Sequence, residues 1–138
     1  MSKIEFKLVS PSRNLLTTET EMVLVPGSNG YMGVMRGHAP IISTLEAGEV
    51  VLRDNGNDQR FFIDAGVVEI SPDTITVLVE NGMLVEEIDS AEVDAVLTKA
   101  EEKLSNLDIS NTYDRHKIET EISILRAKKR AVEEPVYQ

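Results

Sequence analysis

The chain has 138 residues, no cysteine and a formal net charge of −10. That length suits one main core with a small appendage, and the missing cysteine excludes disulfides and thiolate metal sites. The acidic balance argues against sequence-independent nucleic-acid binding, which relies on Lys and Arg to neutralise phosphates, and no run approaches the ~18 apolar residues that span a bilayer.

The start, Met1-Ser2-Lys3-Ile4-Glu5-Phe6, alternates charge and bulk and has no apolar core of a signal peptide, so the expectation is a soluble, cytoplasmic chain. Ile4, Phe6 and Leu8 alternate with Glu5 and Lys7, the period of a half-buried strand. Met22–Val25 is continuously apolar and stops at Pro26-Gly27. Ile41 to Leu45 and Glu49 to Leu52 follow. Asp54-Asn55-Gly56-Asn57-Asp58 is a strong turn signal between Val50–Arg53 and Phe61–Ile63. Ser71-Pro72-Asp73 joins Val67–Ile70 to Thr74–Val79, and Asn81-Gly82 turns the chain before Met83-Leu84-Val85. Eight to ten short strands at this spacing predict a sandwich or flattened barrel.

The period changes near Asp89. Asp89-Ser90-Ala91-Glu92 fits a capping box. Val93, Val96, Leu97, Ala100, Leu104 and Leu107 then recur at helical spacing. Asp108–Asn111 breaks the run, Asn111 or Thr112 can cap a second helix, and Ile118, Ile122, Leu125 and Val132 form its stripe up to Pro135. Two such helices should pair as an antiparallel hairpin, and each is too short to be stable without packing. The fold class expected is therefore α+β: a β-sandwich over residues 1–86 and a two-helix hairpin over residues 87–138.

The charge is uneven. Between Ile109 and Val132, Arg115, Lys117, Arg126, Lys128, Lys129 and Arg130 outnumber Asp114, Glu119 and Glu121, leaving that segment at +3 and the rest of the chain at −13. Two readings fit this cluster: an ordinary solvated helix face, or an electrostatic clamp for an acidic partner.

Catalytic chemistry finds little support. Gly27, Gly30 and Gly33 suggest a phosphate loop, but no Gly-Lys-Ser/Thr follows and no helix begins there. They are expected instead to supply positive φ in consecutive tight turns. His38 and His116 lie in different modules without metal-ligand spacing, and no nucleophile elbow is present. A turn histidine with a packing or interface role is the simpler reading of His38. The adjacent acids Glu86-Glu87 and Glu101-Glu102 do not share a face and read as solvated surface.

Val25-Pro26-Gly27 through Gly30-Tyr31-Met32-Gly33-Val34-Met35, then Gly37-His38-Ala39-Pro40-Ile41, then Leu45 to Gly48, closely resembles the epsilon subunit of bacterial F-type ATP synthase. The agreement continues through Gly66–Ile70, Thr74–Val79 and the helical hairpin. The resemblance implies a ten-stranded flattened sandwich with two C-terminal helices, in a non-catalytic subunit of the rotating central stalk. It implies binding to the gamma subunit and to the membrane c-ring, on the cytoplasmic side of the bacterial plasma membrane, with no bilayer insertion. The c-ring contact maps to Ser28, Asn29, Gly30, Tyr31 and Met32; some relatives carry an acid where this chain has Tyr31. The gamma contact maps to Ser10, His38 and Ser43.

The mechanism implied is rotary coupling by the β-domain, with inhibition of ATP hydrolysis by helices that lift away and reach the alpha/beta catalytic head. Arg115, Lys117, Arg126, Lys128, Lys129 and Arg130 are the candidate inhibitory residues, meeting acidic segments of the beta subunit. Some relatives bind ATP through an Ile-Asp-x-x-Arg-Ala motif. The stretch matched to it, Ile109–Asp114, lacks the acid and the arginine, so no cofactor is expected. A free-standing β-sandwich adaptor and a small hydrolase using His38 are the competing readings.

Overall fold

The N-terminal alternation becomes strand β1 (Ile4–Ser10) in the computed structural model, which describes residues 2–134. Ile4, Phe6 and Leu8 are buried, while Glu5 and Lys7 lie on the other face. Strand β2 (Arg13–Thr20) pairs antiparallel with β1, with a register shift between Leu8 and Val9. Its sequence, RNLLTTET, carries no alternation, and most of the strand is exposed or half-buried. An edge strand needs no apolar face, which is why periodicity missed it.

Strands β3 (Met22–Gly27), β4 (Gly30–Val34), β5 (Ile41–Leu45), β6 (Gly48–Asp54), β7 (Asn57–Ile63), β8 (Gly66–Ile70), β9 (Thr74–Val79) and β10 (Gly82–Leu84) complete one ten-stranded sheet. Its order is β10-β7-β6-β3-β5-β8-β9-β1-β2, with β4 on β3. Only the β1–β9 pair is parallel. Glu21 alone connects the edge strand β2 to β3, which lies mid-sheet. So short a link requires the sheet to curl until β2 comes beside β6. There the Thr20 hydroxyl donates to the Arg53 carbonyl at 2.8 Å, and the Lys3 ammonium meets the Asp54 carboxylate at 3.1 Å. The inside holds Phe6, Val23, Val25, Val50, Ile63, Val68, Ile75 and Val77, all buried in one cluster. This is the flattened sandwich expected.

The Asn55-Gly56 hairpin forms with φ of 53° and 78° at the two central residues, closed by the Asp54–Asn57 pair. Positive φ at both positions is the geometry that makes Asn-Gly the preferred pair there. The glycine-rich segment behaves differently from the expectation. Gly30 and Gly37 have positive φ, but Gly27 and Gly33 do not and lie within β3 and β4. Gly27 serves by absence of bulk: a Cβ there would sit 3.0 Å from the Gly30 carbonyl oxygen.

The chain divides into two units, Met1–Glu86 and Glu87–Gln138. In the second, helix α1 (Ser90–Ser105) starts at Asp89, whose carboxylate accepts from the Ala91 and Glu92 amides. Helix α2 (Thr112–Glu133) starts at Asn111, whose side chain accepts from the Asp114 amide. Leu97, Ala100 and Ile122 form the buried seam between them, flanked by Leu104, Ile118 and Leu125. Val96, placed on the α1 stripe by its spacing, is instead 39% exposed. Leu107 falls beyond the end of α1, and Pro135 lies outside the described residues.

Candidate functional site

Three surfaces carry the candidate residues. The first is the outer face of β5, β8, β9 and β1. Thr44 pairs with Val67, Val67 with Leu78, and Leu78 with Val9, so these side chains form a row across four strands. Strand alternation turns their neighbours Val68, Val77 and Leu8 into the core and leaves this row outside. Ile42, one step along β5 on the same face, is 71% exposed, Leu78 44% and Val67 39%. A shallow groove of about 520 Å³ lies at one end, lined by Val9, Ser10, Pro11, Ala65, Gly66, Val67, Leu78, Val79 and Glu80. Exposed apolar side chains that share one face mark a protein contact more often than single scattered ones do.

Ser10, His38 and Ser43 are spread along this region rather than gathered. Ser10 lines the groove near Gly66. Ser43 pairs with Val68 midway along β8 and shares its inward side. His38 precedes β5 at the opposite end, where the Gly37 amide donates to the Pro72 carbonyl at 2.8 Å. The His38 Nδ1–H donates to the Ala39 carbonyl at 2.7 Å. The ring therefore fastens its own turn. The exposed partners Ile42, Val67 and Leu78 escaped the sequence reading because alternation alone does not say which sheet face stays uncovered.

The second surface is the β3–β4 turn. Ser28, Asn29 and Gly30 are exposed at its tip, Tyr31 is exposed and Met32 half-buried. Met32 packs against the core cluster. The Tyr31 hydroxyl accepts from the Glu49 amide at 3.0 Å.

The third surface is the basic side of α2. Lys129 meets Asp94 at 2.8 Å and Arg126 meets Glu101 at 3.3 Å, each reaching from α2 to α1. The hydrogen bond to Asp94 holds the Lys129 ammonium above its ordinary pKa. Arg115, Arg126 and Arg130 line one side of an open groove of about 960 Å³ between the helices, with Glu101, Glu119, Leu104 and Ile122 also on its wall. Lys117 points to solvent, and Lys128 is half-buried. Ile88-Asp89 also reproduces the start of the Ile-Asp-x-x-Arg-Ala motif, with Glu92 at the arginine position. Its Asp89 carboxylate is engaged as the α1 cap. In either register the arginine is missing.

Among the described residues no group of three or more His, Asp or Glu side chains could hold a metal ion. No described helix is long and apolar enough to cross a membrane.

The sequence profile for "ATP synthase, Delta/Epsilon chain, beta-sandwich domain" matches residues 3–85, which is the whole ten-stranded sheet. This chain belongs to the ATP synthase delta/epsilon family. The ATP synthase epsilon chain of Parvibaculum lavamentivorans is 37% identical over 105 residues, covering 75% of this chain and 80% of that protein. The epsilon chain of Hyphomonas neptunium is 34% identical over 131 residues, covering 94% and 96%. That longer match takes in the hairpin as well as the sheet. A chain of the Euglena gracilis mitochondrial ATP synthase, solved as an OSCP/F1/c-ring assembly, shares the fold with a TM-score of 0.83 at 19% identity, over 96% of this chain and 82% of that one. A chain from the central stalk and c-ring of the Tetrahymena thermophila mitochondrial enzyme matches with a TM-score of 0.61 at 14% identity, over 95% and 97%.

Proposed function

We propose that this chain is a non-catalytic rotor subunit of an F-type ATP synthase, binding the gamma subunit and the c-ring through its β-unit and restraining ATP hydrolysis through its hairpin. The observation that carries the reading is the exposed apolar row on the outer sheet face, in a chain that belongs to the delta/epsilon family. Ile42, Val67 and Leu78 need a covering partner, and the groove beside Ser10 extends that face. The gamma contact is assigned to this surface, with Ser10 and His38 towards its two ends; Ser43, expected with them, lies on the inward side of β5. The c-ring contact is assigned to Ser28, Asn29, Gly30, Tyr31 and Met32. Both partners belong to a membrane complex, so the chain is peripheral to the bacterial plasma membrane on its cytoplasmic side.

A charge placed in the apolar row tests the first assignment. Val67→Glu should fold, because Val67 faces out, yet fail to co-purify with the gamma subunit. Retained co-purification would remove the sheet face from the interface.

The hairpin has the features of a releasable element: a small apolar seam and two exposed ion pairs of the kind that contribute little in water. A partner offering carboxylates to Arg126 and Lys129 would replace Glu101 and Asp94 without stranding a cation. A few kcal/mol of differential binding is then enough to shift the population. Deleting residues 89–138 should raise ATP hydrolysis by the assembled complex while assembly persists. Unchanged hydrolysis would count against inhibition.

A further inference from the structure

The turn Ser28-Asn29-Gly30 projects from the β3–β4 hairpin, and an isolated hairpin tip is a flexible thing. Here it is tied down at a specific point. Strand β3 pairs with β6 through Met22–Arg53, Val23–Leu52 and Leu24–Val51, and there the ladder stops. Pro26 lies two residues beyond Leu24, opposite Glu49, but its carbonyl accepts from the Glu46 amide at 2.8 Å and so does not take the Glu49 amide. The Glu49 amide, next on the β6 side, is instead taken by the Tyr31 hydroxyl at 3.0 Å. Tyr31 is also the β4 residue paired with Pro26. The Tyr31 hydroxyl thus stands in for the Pro26 carbonyl, which is engaged by Glu46.

Gly48 makes room for it. A Cβ at residue 48 would lie 2.7 Å from the Tyr31 hydroxyl oxygen and 3.1 Å from Pro26 Cβ. The receiving strand is itself anchored. The Glu49 side chain is 1% exposed, and its carboxylate accepts from Arg60 Nε on β7 at 2.6 Å. A buried carboxylate paired this way resists displacement, because breaking the pair strands a charge.

We infer that Tyr31 is a positioning residue: its bond to the start of β6, seated over Gly48 and backed by the Glu49–Arg60 pair, fixes the angle at which Ser28-Asn29-Gly30 is presented to the c-ring. This rests on the proposal that the turn is the ring contact. It adds that the residue standing where some relatives carry an acid acts through the turn's orientation.

Two measurements separate this inference from the proposal beneath it. The first is amide hydrogen exchange on the isolated full chain. Tyr31→Phe keeps the ring and removes the hydroxyl; Glu49 N–H exchange should accelerate about tenfold, the ratio expected for one lost hydrogen bond, with the core strands unchanged. Gly48→Ala, which displaces the phenol from the other side, should do the same. Unaltered Glu49 exchange in both variants would overturn the brace. The second uses the absence of native cysteine: Asn29→Cys in the assembled complex, cross-linked to the c-ring. The yield should fall several-fold when Tyr31→Phe is added and should not change when Thr17→Ala, far from the turn, is added instead. An equal yield with and without the hydroxyl overturns the positioning role. No cross-link from Asn29→Cys alone, with Glu49 exchange still dependent on Tyr31, overturns the ring-contact assignment and the inference built on it, leaving the brace as a feature of the fold.

Discussion

At the scale of single residues, two positions have consequences that can be measured. Gly66 sits where β8 and β9 approach so closely that a Cβ would lie 2.2 Å from the Leu78 carbonyl oxygen. That neighbour is backbone and cannot rotate away. Gly66→Ala should therefore cost about 1–3 kcal/mol or more, lowering the melting temperature by roughly 5–15 °C in a unit of this size. The second is Asp58. Arg53 donates to both its carboxylate oxygens at 2.7 Å, and this pairing holds the Asp58 carboxyl below the usual carboxylate range despite opposing desolvation. A depressed folded-state pKa stabilises the native form above the unfolded value and ceases to do so as pH falls through the folded one. Asp58→Asn should thus lower the melting temperature at neutral pH by a few degrees at most, since a partly exposed pair contributes at most about 1 kcal/mol. The gap to the parent chain should close as pH falls below the ordinary carboxylate range and through the lower folded-state value.

At the scale of elements, the hairpin depends on a small set of apolar side chains. Leu97, Ala100 and Ile122 form the buried cluster between α1 and α2, with Leu104, Ile118 and Leu125 half-buried beside them, and Val93 and Ala131 are also buried on the two helices. Helices of this length are marginal without such packing. Ile122→Ala should cost about 2–5 kcal/mol, enough to lose much of the helical circular dichroism of residues 90–133 while the sheet remains. The Lys129–Asp94 pair answers pH in the opposite sense to Asp58. With the ammonium pKa raised, its contribution is intact at neutral pH and is lost only as pH climbs above the ordinary lysine range. Titration of Lys129 therefore does not loosen this pair at neutral pH.

At the scale of the whole molecule, the proposed division of labour rests on how the apolar surface is distributed. The β-unit encloses a sealed core and still displays an apolar row outside, as expected of a permanent interface. The hairpin displays cations and an open groove, as expected of a contact that comes and goes. The groove contains Arg115, Arg126 and Arg130 but faces them with Glu101 and Glu119. With no arginine at the matching position of the ATP motif, weak or absent ATP binding is the expected outcome. Calorimetry on the isolated chain should show no heat of saturation, and micromolar affinity would overturn that expectation.

Much of this was written in the order of residues. The Ile4-Phe6-Leu8 alternation, the Asn55-Gly56 turn, the Asp89 and Asn111 caps and the Ile118-Ile122-Leu125 stripe are local signals, set by chain geometry and side-chain period, and each appears where the sequence places it. Strand β2 was not legible, because an exposed edge strand carries no buried face to leave a pattern. Nor was the tie between Tyr31 and Glu49, which lie 18 residues apart and meet where the β3–β6 ladder ends. Local pattern was enough for most strands, for the starts of both helices and for the family. Which apolar residues stay outside and which polar groups meet emerged only in the folded chain. Those outcomes depend on strand order and register, and these are set by contacts between distant segments.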